Sequence, residues 1–152
     1  MEELTTLLRD HEFLTGLDET DATQLASCVR SAHFAEGEFL MREGERSSYF
    51  YLIRTGRVAL ESNVPGKGVL QMESIGPGDV VGLSWPLPPY RVHIDARAVV
   101  PTETLAFDAT RLREVMEGDH DLGYALMTRL YEKALRRLER VRLQRLDVYT
   151  AS

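Results

Sequence analysis

The chain has 152 residues, a formal net charge of −6 and a hydrophobic share of 43%. That length suits one domain with a proper core, so 1–152 is read as a single unit. No run reaches the ~18 apolar residues of a membrane span, the acidic opening MEELTTLLRDHEFL lacks a secretion signal, and one cysteine excludes an internal disulfide or a multi-cysteine metal site.

Residues 3–9 predict a short helix. Asp18 with Asp21 three residues on predicts an N-cap, and the helix it opens is expected to run to about Arg30. Ala22, Leu25, Cys28 and Val29 recur on one face of it. Cys28 therefore reads as a buried thiol, with a redox-sensing thiol as the alternative.

From Phe34 to Phe107 the pattern changes to short apolar runs broken by Gly, Pro, Ser or Asn. Strands are predicted over Phe39–Arg42, Tyr49–Arg54, Arg57–Asn63, Val69–Ile75, Val80–Val81, Asp95–Val100 and Thr104–Asp108. Many short strands with Gly/Pro turns mean a sandwich or barrel. Pro65-Gly66-Lys67-Gly68 predicts a hairpin tip.

After Asp108 the helical period returns. Asp108 predicts the cap of a short helix stopping at Gly118, and Asp119 or Asp121 that of a long helix to about Val148. Leu126, Leu130, Ala134, Leu138 and Val141 form an apolar stripe, widened by Met127, Tyr131 and Leu135. The stripe is wider than one β-roll needs. Met127, Leu130, Ala134, Leu138 and Val141 are therefore expected to form a homodimer interface. The same helix is basic: residues 129–145 hold seven bases and two acids, a local +5 in a chain of −6. Its arginines alternate with acids and flank apolar positions, as on a coiled-coil exterior. Binding to phosphates would gather them on one face instead.

Two stretches carry a family likeness. Residues 34–56, FAEGEFLMREGERSSYFYLIRTG, place Gly37, Gly44 and Gly56 at the joints of short strands. Residues 74–98, SIGPGDVVGLSWPLPPYRVHIDARA, follow them. Together they resemble the cyclic nucleotide-binding domain of the catabolite activator and fumarate–nitrate regulator superfamily. The resemblance covers about residues 12–147. It implies a mainly β fold with flanking helices: an antiparallel β-roll or jelly roll with its N-terminal helix over 12–108, then C-terminal helices over 109–148 ending in a long dimerisation helix. The string GLSWPLPPYRVHIDARA is also similar to a bacterial subgroup of short, stand-alone members without the helix-turn-helix domain.

In nucleotide-binding members of this superfamily, the turn matching Gly76-Pro77-Gly78-Asp79 leads to a short helix whose free N–H groups receive the cyclic phosphate. A Glu after the glycine matching Gly82 holds the ribose hydroxyl, and an Arg followed by Ser or Thr pairs with the phosphate. This chain departs at both positions. The Glu position is Leu83, which accepts no hydrogen bond. Counting back from Ala96-Arg97-Ala98, the Arg-Ser/Thr pair falls on Val92-His93. Arg91 is one residue off, which reverses its face in a regular strand, and Asp95 adds negative charge nearby. Three readings follow: a degenerate pocket plugged by Trp85 and Tyr90, a different ligand, or a cyclic nucleotide. The candidate ligand-binding residues are Gly82, Leu83, Ser84, Trp85, Arg91, Val92 and His93. An anion would use the Gly82–Ser84 turn with Arg91 or His93 as counter-charge.

His11, His33, His93 and His120 are scattered, and no P-loop, GxGxxG or Gly-x-Ser-x-Gly occurs. The expectation is a cytoplasmic, non-enzymatic regulatory module without cofactor or metal that does not bind cyclic AMP. Its expected partners are a second copy of itself and a protein that the sequence does not name. A small anionic ligand is the alternative. Nucleic-acid binding through the basic helix is the second alternative, weakened because the chain stops at Ser152 without a recognition helix.

Overall fold

The computed structural model describes residues 2–150, with side chains placed for 3–147. Met1, Ala151 and Ser152, the ends of the expected domain, lie outside the described residues. Helix α1 (Glu2–Asp10), a 3-10 turn (Glu12–Leu14) and α2 (Glu19–Ala26) open the chain. Strands β1 (Val29–Phe34), β2 (Phe39–Met41), β3 (Tyr49–Thr55), β4 (Val58–Val64), β5 (Gly68–Ile75), β6 (Val80–Val81), β7 (Asp95–Ala98) and β8 (Thr102–Asp108) follow. Helices α3 (Ala109–Gly118) and α4 (His120–Thr150) close it.

The strands form two antiparallel four-stranded sheets, ordered β1-β8-β3-β6 and β2-β7-β4-β5. Strand β3 explains how they stack. Successive strand side chains face opposite sides. Phe50 and Leu52 therefore pack with the helices, together with Leu105, Phe107, Leu112 and Leu126. Tyr51 and Ile53 point the other way, into a second core with Val58, Leu60 and Ala96 of the facing sheet. The run Phe50–Ile53 is continuous because both of its faces are covered. The layers are thus helices, first sheet and second sheet.

The predicted caps form. Asp18 accepts from the Asp21 amide at 2.8 Å, Asp108 from Arg111 at 3.1 Å and Asp119 from Leu122 at 3.1 Å. Helix α2, however, stops at Ala26 rather than near Arg30. Cys28 is buried, while Val29 opens a strand absent from the sequence reading. Strand β1 pairs with β8 from Val29↔Phe107 to Phe34↔Thr102. Its sequence VRSAHF is polar and edge-facing, so it carries little pattern of its own, and pairing with buried β8 decides it.

Helix α4 corrects the expected stripe. Leu126 and Leu130 are buried against the first sheet, whereas Ala134, Leu138 and Val141 are exposed. Each i,i+4 step overshoots a turn by about 40°, so from Leu126 to Leu138 the stripe rotates by about 120°. Leu130 is 5% exposed inside the monomer's own core and does not belong to a surface seam. Continuing the inward direction instead are Arg137 and Arg140, which reach the roll.

Candidate functional site

The turn Gly76–Asp79 leads into β6, and Gly82 follows at φ 103°. That backbone favours glycine, and a Cβ there would lie 3.0 Å from the Met41 methyl and 3.3 Å from Phe50 Cβ. Residues 83–90 form turns, not the short helix that the family likeness implied. The Leu87 amide donates to Ser84 O at 3.4 Å and the Tyr90 amide to Leu87 O at 3.0 Å. No helix N-terminus presents amides to an anion at this point.

Several contacts hold the cassette. Arg113 of α3 donates to Trp85 O at 2.7 Å, and its guanidinium lies 4.1 Å from the centre of the Tyr90 ring. Tyr90 adopts φ 56°, a region that bulky residues avoid unless their surroundings impose it. Its carbonyl accepts from the Ser47 amide at 2.6 Å. Next, Arg46 and Arg91 form a β-bridge, the Val92 amide donates to Glu45 O at 2.8 Å, and the Gly44 amide to Val92 O at 2.9 Å. The Arg42–Ser47 corner is thereby stitched to the end of the cassette.

A cavity of about 300 Å³ lies between this cassette, the second sheet and α4. Gly82, Leu83, Ser84, Val92 and His93 of the expected site line it. Met41, Leu60, Val81 and Ile94 complete an apolar wall, with Ser47 and Arg137 as the further polar members. A groove of about 350 Å³ between the 3-10 turn and α4 is charged, with Glu12, Arg129, Glu132 and Lys133 in its walls, and shares no lining residue with the cavity.

Two expected ligand residues are elsewhere. Trp85 is fully buried in the helix-side core, stacked on Phe50 at 4.9 Å and 10°. It is not among the residues lining the cavity and does not plug it, and neither does Tyr90 beneath Arg113. Arg91 is exposed and does not line the cavity. Nor does it pair with Asp95, whose carboxylate accepts from the Glu43 amide at 2.7 Å and lies 4.0 Å from Arg42.

The cation that lines the cavity is Arg137, which the sequence reading had assigned to a coiled-coil exterior. Its Nη2 donates to Val80 O at 2.9 Å and lies 3.4 Å from Asp79 Oδ1, and its Nε lies 3.6 Å from Glu73 Oε2. Arg140 pairs with the same Glu73. Two arginines and two carboxylates thus balance. The missed signal was the direction of Leu126 and Leu130, which at helical spacing leads on to Arg137. Ser47 was missed because nothing local marks it: its Oγ is buried and makes no hydrogen bond among the described residues.

Glu61 and Cys28 sit in structural surroundings. Arg97 binds Glu61 bidentately at 3.0 and 2.8 Å and holds its carboxyl below the usual range. Burial pushes the Cys28 thiol up, which disfavours the reactive thiolate. Among the described residues, no group of three or more His, Cys, Asp or Glu side chains could hold a metal ion. Also among them, no helix is long and apolar enough to cross a membrane.

The cyclic nucleotide-binding domain family model matches residues 31–119. Mouse cGMP-dependent protein kinase 2 is 29% identical over 65 residues, which is 43% of this chain and 8% of the kinase. The chain thus matches only a small part of the length of that curated relative. A putative cyclic nucleotide-binding protein of Geobacter metallireducens GS-15 superposes with a TM-score of 0.79 at 26% identity, covering 88% of this chain and 97% of that one. The sensor domain of the transcriptional regulator DNR of Pseudomonas aeruginosa gives 0.72 at 20%, covering 91% and 95%. With more than half of its length matched by the family model, and with the two-sheet roll and long closing helix described above, the chain belongs to the cyclic nucleotide-binding domain family.

Proposed function

We propose that the chain is a cytoplasmic, non-enzymatic sensory module whose cassette does not take cyclic AMP in the manner of the family. One observation supports this reading: the cavity wall carries Leu83 and Val92, where the family likeness implies the ribose and phosphate contacts, and its lining arginine faces Asp79 and Glu73. Binding a cyclic nucleotide there would leave the ribose 2′-hydroxyl without the carboxylate that the family likeness implies and a phosphate without a free cation, each loss costing on the order of 1–3 kcal/mol. Isothermal calorimetry with cyclic AMP and cyclic GMP is the test. Weak or absent heats are expected, and a low-micromolar or tighter Kd for either would overturn the reading.

The output of such a module is proposed to pass through α4. Tyr124, Met127, Tyr131, Ala134, Leu138 and Val141 alternate in steps of three and four residues, and all are exposed. That is a heptad seam suited to a second copy of the chain. Nucleic-acid binding is disfavoured because Arg136, Arg137 and Arg140 pair with acids of the same chain, and Arg129 donates to Thr15 O and Ala125 O. Sedimentation should show a dimer at high micromolar concentration, and a monomer there would remove the α4 route.

A further inference from the structure

We infer that the cavity takes an uncharged, largely apolar small molecule carrying one hydrogen-bonding group, and that Ser47 reads that group. The inference rests on the reading of the cavity above and specifies its ligand.

The walls set the first requirement. Met41, Leu60, Val81, Leu83, Val92 and Ile94 supply apolar surface on both sides of the space. A molecule covered by these groups is bound chiefly by removing apolar area from water. An ion would shed its hydration against them and gain little in return.

Charge sets the second. Arg137 is the cavity's permanent cation: its Nη2 donates to Val80 O and faces Asp79, while its Nε faces Glu73 Oε2 at 3.6 Å and makes no hydrogen bond among the described residues. Arg140 adds a second positive charge to Glu73, so the cluster of four is neutral. An incoming anion would compete with Asp79 and Glu73 for Arg137. His93 lines the cavity but is exposed, so water screens whatever it adds. Among the described residues no acidic side chain lines the cavity, so a cation finds no partner either.

Ser47 sets the third. It is 3% exposed, lines the cavity, and its Oγ makes no hydrogen bond among the described residues. Buried hydroxyls are nearly always partnered, and an exception calls for a reason. The position is also rigid. The Ser47 amide donates to Tyr90 O at 2.6 Å, the Ser48 amide to Arg46 O at 2.9 Å, and Arg46 bridges Arg91. A hydroxyl held by its backbone on both sides and left unpaired in an apolar space is a preorganised contact for one polar atom of a guest.

The test uses four probes on the full chain, followed by chemical-shift titration: phenol and indole as uncharged probes, benzoate as an anion of similar size, and cyclic AMP. Phenol or indole should shift the methyl signals of Met41, Val81 and Val92 and bind more tightly than benzoate. Ser47→Ala should weaken that binding roughly five- to tenfold, the worth of one neutral hydrogen bond. Val92→Phe, which fills the space, should abolish it. If that variant fails to fold, Ser47→Ala alone decides. Tighter binding of benzoate, no response to either neutral probe at millimolar concentration, or equal affinity in Ser47→Ala would overturn the inference. The first two outcomes leave the proposed sensory function standing, whereas tight cyclic AMP binding would overturn both.

Discussion

On one side of the cavity the cassette presents Leu83 and Val92, uncharged and without hydrogen-bonding side chains, while on the other α4 presents Arg137 with Arg140, Glu73 and Asp79 behind it. The charged side looks like a binding apparatus, but its charges close on one another. What they do physically is tie a long helix to the edge of a β-roll. The cassette side offers an apolar shape with Ser84, and the neighbouring corner adds Ser47. Charge near a cavity is therefore evidence of a ligand's charge only after the cation's own partners have been counted.

That contrast can be broken most severely at Trp85. It is fully buried, stacks on Phe50, and its backbone carbonyl anchors Arg113. If it is core rather than ligand surface, Trp85→Ala should cost about 3–5 kcal/mol in chemical denaturation. Affinity for phenol should change little in whatever fraction stays folded. Loss of binding with intact stability would return Trp85 to the site.

The next effect in size concerns the tie. Arg137→Met removes one of the two arginines that face Glu73 and Asp79, whose side chains are 9% and 19% exposed. Leaving two mostly buried carboxylates to share Arg140 should cost about 2–3 kcal/mol, less than for fully buried ions because water still reaches them. Hydrogen exchange should accelerate in α4 beyond Leu130 and hardly at all in β3. Uniform acceleration across the chain would mean that Arg137 supports the whole fold instead.

These two residues also show where the chain was legible. Turn chemistry is local, so Gly56, the Pro65–Gly68 tip and the Asp18, Asp108 and Asp119 caps could be placed from sequence. At Gly56 the need is plain: φ is 103°, and a Cβ would lie 2.4 Å from Thr102 Oγ1. The alternation in β3 was legible too. What escaped was direction. Whether Trp85 faces the cavity or the helices depends on the Gly82 backbone and the Arg113 clamp, which lie far apart in sequence. Arg137 and Leu138 are neighbours in the chain, yet one meets the roll and the other solvent. Strand β1 escaped because its pairing with β8 outweighs a weak pattern. The cavity residues Gly82, Leu83, Ser84, Val92 and His93 were found together by the family likeness, and Ser47 is a matter of tertiary placement alone.

Beyond the tie, α4 turns from charged contacts to an apolar seam. Leu138 is 65% exposed. Leu138→Ala should leave monomer stability nearly unchanged and weaken self-association by about 1–3 kcal/mol, from the apolar area no longer buried between two copies. Sedimentation equilibrium reads this directly. A dimer unaffected by both Leu138→Ala and Tyr131→Ala would place the contact on another surface.

The smallest expected effect tests a tie that works without charge. His11 precedes the 3-10 turn and fastens the helical layer to β3. Its Nδ1 accepts the Phe13 amide at 3.1 Å, and its Nε2 lies 2.8 Å from the Ile53 carbonyl. The first contact requires a bare Nδ1 and the second a protonated Nε2, so the geometry demands the neutral ring. Burial holds this imidazole below its usual 6.5, and Lys133 and Arg54 push it the same way, against the backbone bond to Ile53 and the nearby Glu12 carboxylate. The sign follows from linkage. The unfolded chain takes up the proton first, so the stabilising contribution is complete above about pH 6.5 and is lost as pH falls below that value. Glu61 behaves alike in a lower window: Arg97 holds its carboxyl down, and its contribution is lost only below about pH 4.5. Stability should therefore begin to decline between about pH 6.5 and 5.5, before the carboxylates titrate. His11→Gln should cost about 1–2 kcal/mol at neutral pH for the impaired buried hydrogen bonds and should flatten that first decline. A flat profile in the wild-type chain, or an unchanged slope in the variant, would show that the ring tolerates its proton in place and that the helical layer is held by packing alone.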